Sequence, residues 1–179
     1  MKEINLEEYK QSIRKCSWNK SGNRPLVPSD DQIVYFDKVK DAYSRTLGVP
    51  SMNSVDGLLL EKEKISFIEF KDTNKPSCGE IYLKAYDSCL IYCDIVKCPP
   101  REIKKNGRFI LVYPQDELSS AEKARADFGK PLCKKAKSSF VLFDISRLAK
   151  FPFSEVRTLN VKEFIKEFKL STNEESQNK

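Results

Sequence analysis

Ile65-Ser66-Phe67-Ile68-Glu69-Phe70-Lys71-Asp72 is an apolar run that closes in charge. Its β-branched and aromatic content predicts an extended strand over residues 64–71. Side chains alternate along a strand, so Glu69 and Lys71 share one face while Ile68 and Phe70 share the other. A carboxylate and an ammonium are thereby set side by side at the end of a buried strand. Val55-Asp56-Gly57-Leu58-Leu59-Leu60 is a second run of the same kind, and the stretch between, Glu61-Lys62-Glu63, is charged. A short antiparallel hairpin is the simplest connection. With Lys62 and Glu63 at the turn, Asp56 falls directly opposite Glu69, with Cβ atoms about 4.5–5.5 Å apart. A slip of one residue would turn Asp56 to the other face, so the pairing depends on register.

Two carboxylates this close repel each other unless something neutralises them. A hard divalent cation with oxygen ligands does so, and Mg²⁺ typically takes one or two protein carboxylates and keeps water or phosphate elsewhere. Such an ion lowers the pKa of a bound water and stabilises charge on a phosphoryl oxygen. Lys71 beside it would orient or deprotonate the water, or stabilise the scissile phosphate. The Glu-x-Lys triplet occurs four times in the chain, at Glu8–Lys10, Glu69–Lys71, Glu102–Lys104 and Glu167–Lys169. Only the second ends an apolar strand with an Asp on a partner strand. Its plain structural reading is an ion pair at a strand end, with Asp56 opening a turn before Gly57.

Asp56, followed by Glu69-x-Lys71 across a hairpin, resembles the PD-(D/E)XK nuclease superfamily of metal-dependent phosphodiesterases. The resemblance covers about residues 30–115. It implies an α/β fold, a restriction-endonuclease-like mixed central sheet flanked by helices, with the core order helix–strand–strand–strand–helix–strand. One of those strands is not visible here unless residues 49–54 or part of the hairpin provide it. By the same resemblance, Asp56, Glu69 and the backbone carbonyl of Phe70 would hold Mg²⁺ or Mn²⁺, and Lys71 would be the catalytic lysine. Asp37, on the preceding helix, is the candidate for a further acidic residue, and Lys84 matches a polar position early on the following helix. Asp56 follows Val55 rather than a proline, and the Gln-xxx-Tyr pattern of one large branch is absent.

Outward from the hairpin, helical spacing of Leu6, Tyr9 and Ile13 predicts a helix over 5–16. Residues 17–30, with Gly22, Pro25 and Pro28, read as a loop. A helix over 31–47 would be capped by Ser29, Asp30 or Asp31, with Phe36, Val39, Tyr43 and Leu47 as its apolar stripe and Gly48 and Pro50 as its stop. Residues 79–97 are apolar nearly all round, as in a helix packed on several sides, and Cys98-Pro99-Pro100 ends it. Strands are expected at 108–113 and 139–145. Helices are expected at 119–128, capped by Ser119 with Glu122, and from Asn160, with Glu163 completing a capping box. These make one α/β domain over 1–170: the core at about 30–115, an extension at 116–170, and a disordered tail at 171–179.

The chain has 179 residues, enough for one such core, and no histidine at all. That excludes the usual Ser-His-Asp and Cys-His triads, and HExxH zinc hydrolysis. No apolar run reaches the roughly 20 residues of a membrane span, and no secretory signal follows Met1. A cytoplasmic protein without membrane contact is expected. Its six cysteines contain no CxxC pair, so buried thiols in a reducing compartment are the plain reading; Cys89 and Cys93 share a helix face. Lys+Arg number 32 against 26 Asp+Glu, a net +6, which suits DNA or RNA as a partner. Lys104, Lys105 and Arg108, and the cluster Lys130, Lys134, Lys135 and Lys137, are the candidate phosphate contacts, each equally readable as solvated charge. Tyr82, Tyr86 and Tyr92 could stack bases but are more simply core. Cutting both strands of a duplex would favour a dimer. The competing reading is a non-catalytic nucleic-acid- or protein-binding interaction protein of a bacterial defence, toxin–immunity or mobile-element system on the same scaffold.

Overall fold

The computed structural model describes residues 4–19, 22–73, 76–114, 120–135 and 141–172. The elements in chain order are a 3₁₀ turn (Leu6–Tyr9), β1 (Lys10–Ser12), α1 (Ile13–Cys16), β2 (Trp18–Asn19), β3 (Arg24–Pro25), β4 (Gln32–Tyr35), α2 (Phe36–Leu47), β5 (Gly57–Leu60), β6 (Ile65–Phe70), α3 (Cys78–Val96), α4 (Pro100–Asn106), β7 (Gly107–Tyr113), α5 (Ser120–Lys135), a second 3₁₀ turn (Ser146–Ala149), β8 (Glu155–Asn160) and α6 (Val161–Phe168). Six strands form one mixed sheet in the order β1-β4-β5-β6-β7-β8, and β2 and β3 form a separate two-stranded ribbon. β1, β4, β5 and β6 pair antiparallel, while β6, β7 and β8 run parallel.

β7 explains why the sheet sits at the centre. All of its residues are buried. Phe109, Leu111 and Tyr113 join the core under α2 and α3, while Ile110 and Val112 join the one under α6 and α1. A strand covered on both faces reads as a continuous apolar run, as RFILVY does. α3 is held at its start by the Ser77 hydroxyl, which accepts from Glu80 N, and ends at Lys97 in the left-handed region, φ 56°. Asn160 and Glu163 form the expected capping box on α6.

Several expectations are corrected. Residues 5–16 are a 3₁₀ turn, a short strand and one helical turn, because residues 10–12 pair with β4. The helix expected from 31 begins at Phe36. Ile33, Val34 and Tyr35, well suited to extended backbone, bridge β1 and β5 instead, and Tyr35 at the N-cap makes no side-chain cap bond. Of the strand expected at 139–145, residues 139–140 lie outside the described residues and residues 141–145 are not a strand. Phe143 and Asp144 have positive φ (61° and 51°), and Leu142, Phe143 and Ile145 plug the core under the sheet. The outer parallel strand is β8, whose Thr158 hydroxyl accepts from Leu142 N at 3.0 Å. Residues 49–56 contain no strand, so among the described residues two strands, not three, lie between α2 and α3; the third strand beside them, β4, precedes α2. Ser171 and Thr172 are bonded to Asp31 and Ser29, while the rest of the expected tail, 173–179, lies outside the described residues.

Candidate active site

β5 and β6 pair in the expected register: Gly57 faces Ile68 and Leu60 faces Ile65, with Glu61 N bonded to Lys64 O across the turn. One step beyond Gly57, Asp56 comes alongside Glu69. The segment before it is pinned to α3: Val55 N donates to the Ser88 hydroxyl at 2.8 Å, and Asn53 N and Nδ2 donate to Asp87 at 3.1 and 3.0 Å. Phe36 N donates to Asp56 O at 3.0 Å, tying the same segment to the start of α2. The Asp56 carboxylate accepts from Phe70 N at 2.7 Å through Oδ2. N–H and C=O of a strand residue point to one side, so the Phe70 carbonyl also faces the end of β5.

Glu69 is fully buried. Its Oε1 accepts from Lys84 Nζ at 2.8 Å and lies 3.4 Å from Lys71 Nζ, while its Oε2 has no hydrogen-bond partner. Lys84 Nζ is also 4.0 Å from Asp56 Oδ1. Lys71 reaches Glu80 on the first turn of α3, at 2.6 Å. Burial pushes the Asp56 carboxyl well above the ordinary range, and the Glu69 charge pushes it further against the pull of Lys84 and the Phe70 N–H. Burial raises Glu69 too, opposed by Lys84 and Lys71. For Lys84, burial works against the charge, but Glu69 and Asp56 outweigh it and hold the ammonium above the usual lysine range. A hydrogen bond from Lys71 keeps Glu80 below the ordinary carboxylate range.

The structure thus brings Asp56, Glu69, Lys71 and Lys84 together. Asp37 adds its negative charge to this neighbourhood, but its Oδ1 accepts from the Ser54 hydroxyl at 2.5 Å. Among the described residues, no group of three or more Asp, Glu, His or Cys side chains is placed to hold a metal ion. The basic residues are scattered. Arg108 is buried on the α6 side, where it bonds Ser66 Oγ at 2.6 Å, pairs with Glu61 and lies over the Phe168 ring. Lys104 donates to the carbonyls of Ala149 and Phe153, and Lys105 is exposed beside it on α4. α4 leads into the start of β7, parallel to β6, so these two lie at the opposite end of the sheet from Glu69. Lys130 pairs with Glu163 at 2.6 Å, Lys134 and Lys135 end α5, and Lys137 lies outside the described residues. Tyr82, Tyr86 and Tyr92 are taken up in packing: Tyr82 stacks on Tyr86 beneath Arg147, and Tyr92 meets Phe67 edge-on.

The sequence reading missed Glu80 and the N-terminal wall of the site. Glu80 had a signal, since it lies one turn before Lys84 and follows the capping Ser77. The wall had none. Cys16, Ser17, Trp18, Asn19 and Leu26 border a cleft of about 300 Å³ whose other side is Asp56 and residues 70–73. Asn19 Nδ2 bonds the Asp72 carboxylate across it, 53 residues away in sequence. No family model, curated protein or solved structure matches the chain.

Proposed function

We propose that the chain is a metal-dependent nuclease that hydrolyses phosphodiester bonds of nucleic acid by PD-(D/E)XK chemistry. One observation carries this reading. Asp56 and Glu69 come together on one face of the hairpin, and Glu69 Oε2 is buried there without a donor. An unsatisfied buried acceptor costs about 1–3 kcal/mol, more when charged, and a cation relieves it. Asp56, Glu69 and the Phe70 carbonyl are an all-oxygen set, which suits Mg²⁺ or Mn²⁺. When bound, such an ion supplies an acidified water and charge stabilisation at phosphorus. Lys84 opposes the upward pull of burial on Glu69, and Lys71, at the rim, is placed to donate to a phosphate oxygen or orient water. The restriction-endonuclease-like core belongs to the same reading. Hairpin, long helix and parallel strand follow in that order, with β4 standing in for the third strand.

Cleavage of DNA and RNA with and without Mg²⁺ tests it. Glu69→Gln should abolish Mg²⁺-dependent cutting, and Lys71→Ala should lower it roughly a hundredfold or more. Metal-independent cutting, or cutting unchanged in both variants, removes the proposal. A non-catalytic interaction protein is the second reading. What favours it is Lys84, which already neutralises the buried Glu69. Calorimetry separates the two: no heat with millimolar Mg²⁺ or Mn²⁺, together with no cutting, selects the second.

A further inference from the structure

The cleft beside Asp56 has two unlike ends. Trp18, Leu26 and Phe70 give it an apolar wall, and Asp56, Lys71 and Asp72 give it a polar end. Trp18 is the only tryptophan in the chain, and 46% of its surface is exposed. Leaving so large an apolar side chain half in water forgoes burial energy that the fold could have used. The backbone that carries the indole is nonetheless held in place. Trp18 sits on the β2–β3 ribbon opposite Pro25, and the ribbon is anchored by Leu26 N to Ser17 O at 2.9 Å and Val27 N to Ser17 Oγ at 3.1 Å. The Asn19–Asp72 bond ties the ribbon to the segment that follows β6. A volume of about 300 Å³ is at the small end of ligand sites and admits one nucleotide unit rather than a duplex.

We infer that this cleft binds one unpaired nucleotide of a single strand, its base stacked on Trp18 and its phosphate beside Lys71, at the end where Asp56 and Glu69 would hold the divalent cation that offsets their charge. The inference rests on the nuclease reading for the choice of ligand and names the form of substrate that reading leaves open. Base–aromatic stacking tolerates any base, so the site selects strandedness rather than sequence. A base in a duplex is already stacked and paired, and reaches the cleft only by leaving the helix.

The single tryptophan makes the test direct. Intrinsic fluorescence of the full chain is titrated with short single-stranded DNA and RNA and with a blunt duplex, in Ca²⁺ and again in chelator. Labelled-strand anisotropy is measured in parallel. Single strands should quench Trp18 emission in at least one condition, and the duplex should bind more weakly. Trp18→Ala should weaken single-strand binding roughly tenfold or more, and Trp18→Phe should restore most of it. Trp18 is exposed, and circular dichroism checks that both variants fold. Binding without quenching, Trp18→Ala binding like the parent, or a duplex preferred over its single strands overturns the inference. Binding of no strand in either condition does the same. Glu69-dependent cutting without quenching keeps the nuclease reading and removes this one. Quenching with Trp18-dependent binding but no cutting does the reverse.

Discussion

Lys84 Nζ stands 2.8 Å from Glu69 Oε1 and 4.0 Å from Asp56 Oδ1, so one ammonium from α3 serves both carboxylates at the end of the hairpin. Glu69 is fully buried, and the Lys84 side chain is 20% exposed. Breaking such a pair strands a buried charge and typically costs 3–5 kcal/mol, roughly what replacing both partners avoids. Lys84→Met should therefore lower unfolding free energy in urea by about 3 kcal/mol or more. Adding Glu69→Gln should recover a large part of the loss. Strictly additive effects in this double-mutant cycle would mean that the two side chains are not coupled.

A divalent cation at Asp56 and Glu69 would stabilise the folded chain by mass action. At a hundredfold excess over Kd the gain is about 2.7 kcal/mol. For a chain of this size that is a rise in Tm of about 5–10 °C. Thermal unfolding with Mg²⁺ or Mn²⁺ should show the rise, chelator should reverse it, and Glu69→Gln should lose it. A rise of the same size in Glu69→Gln would place the ion elsewhere.

Arg108 is tied into the fold through Ser66, Glu61 and Phe168. Replacing it with Met leaves the buried Ser66 hydroxyl and Glu61 without their partner and removes the contact with the Phe168 ring. A loss of about 2–4 kcal/mol is expected in denaturant unfolding. Oligonucleotide affinity, measured well below the unfolding transition, should stay within about twofold. A larger fall in affinity would return Arg108 to the binding surface.

The thiols respond to pH in a defined window. Burial pushes Cys16 from an ordinary 9.0 up to about 12, and Cys89 from the same value up to about 11. On unfolding, both would lose their protons near pH 9. The folded chain thus binds more protons between pH 9 and about 12, and stability should fall as pH rises through that window. A Cys16→Ala/Cys89→Ala variant should lose part of that slope. In the native chain at pH 8, iodoacetamide should label both at least tenfold more slowly than in urea, as read by mass spectrometry. Equal rates would show that these thiols are not sealed.

The Asp56–Glu69 pairing was legible because a hairpin is local. The charged stretch Glu61-Lys62-Glu63 sets the turn, the turn sets the register, and register alone decides which face a side chain takes. α3 and the Asn160–Glu163 box were legible for the same reason, since spacing and capping act over a few residues. The strand at residues 32–35 was not. Gln32-Ile33-Val34-Tyr35 runs straight into a helical stripe, and only partners at residues 10–12 and 57–58 make it extended. Residues 141–145 failed in the opposite sense, because an apolar run is equally content as a core plug.

By itself, then, the sequence determined that two carboxylates and a lysine would share one face at a strand end, without a histidine for the chemistry. Tertiary structure decided what meets them. Glu80 holds Lys71, Lys84 holds Glu69, and Trp18 walls the cleft from more than 35 residues upstream of Asp56. Local rules fix the direction in which a side chain points, but the neighbours it finds there depend on how separate elements pack, and that energy is not written in any one segment.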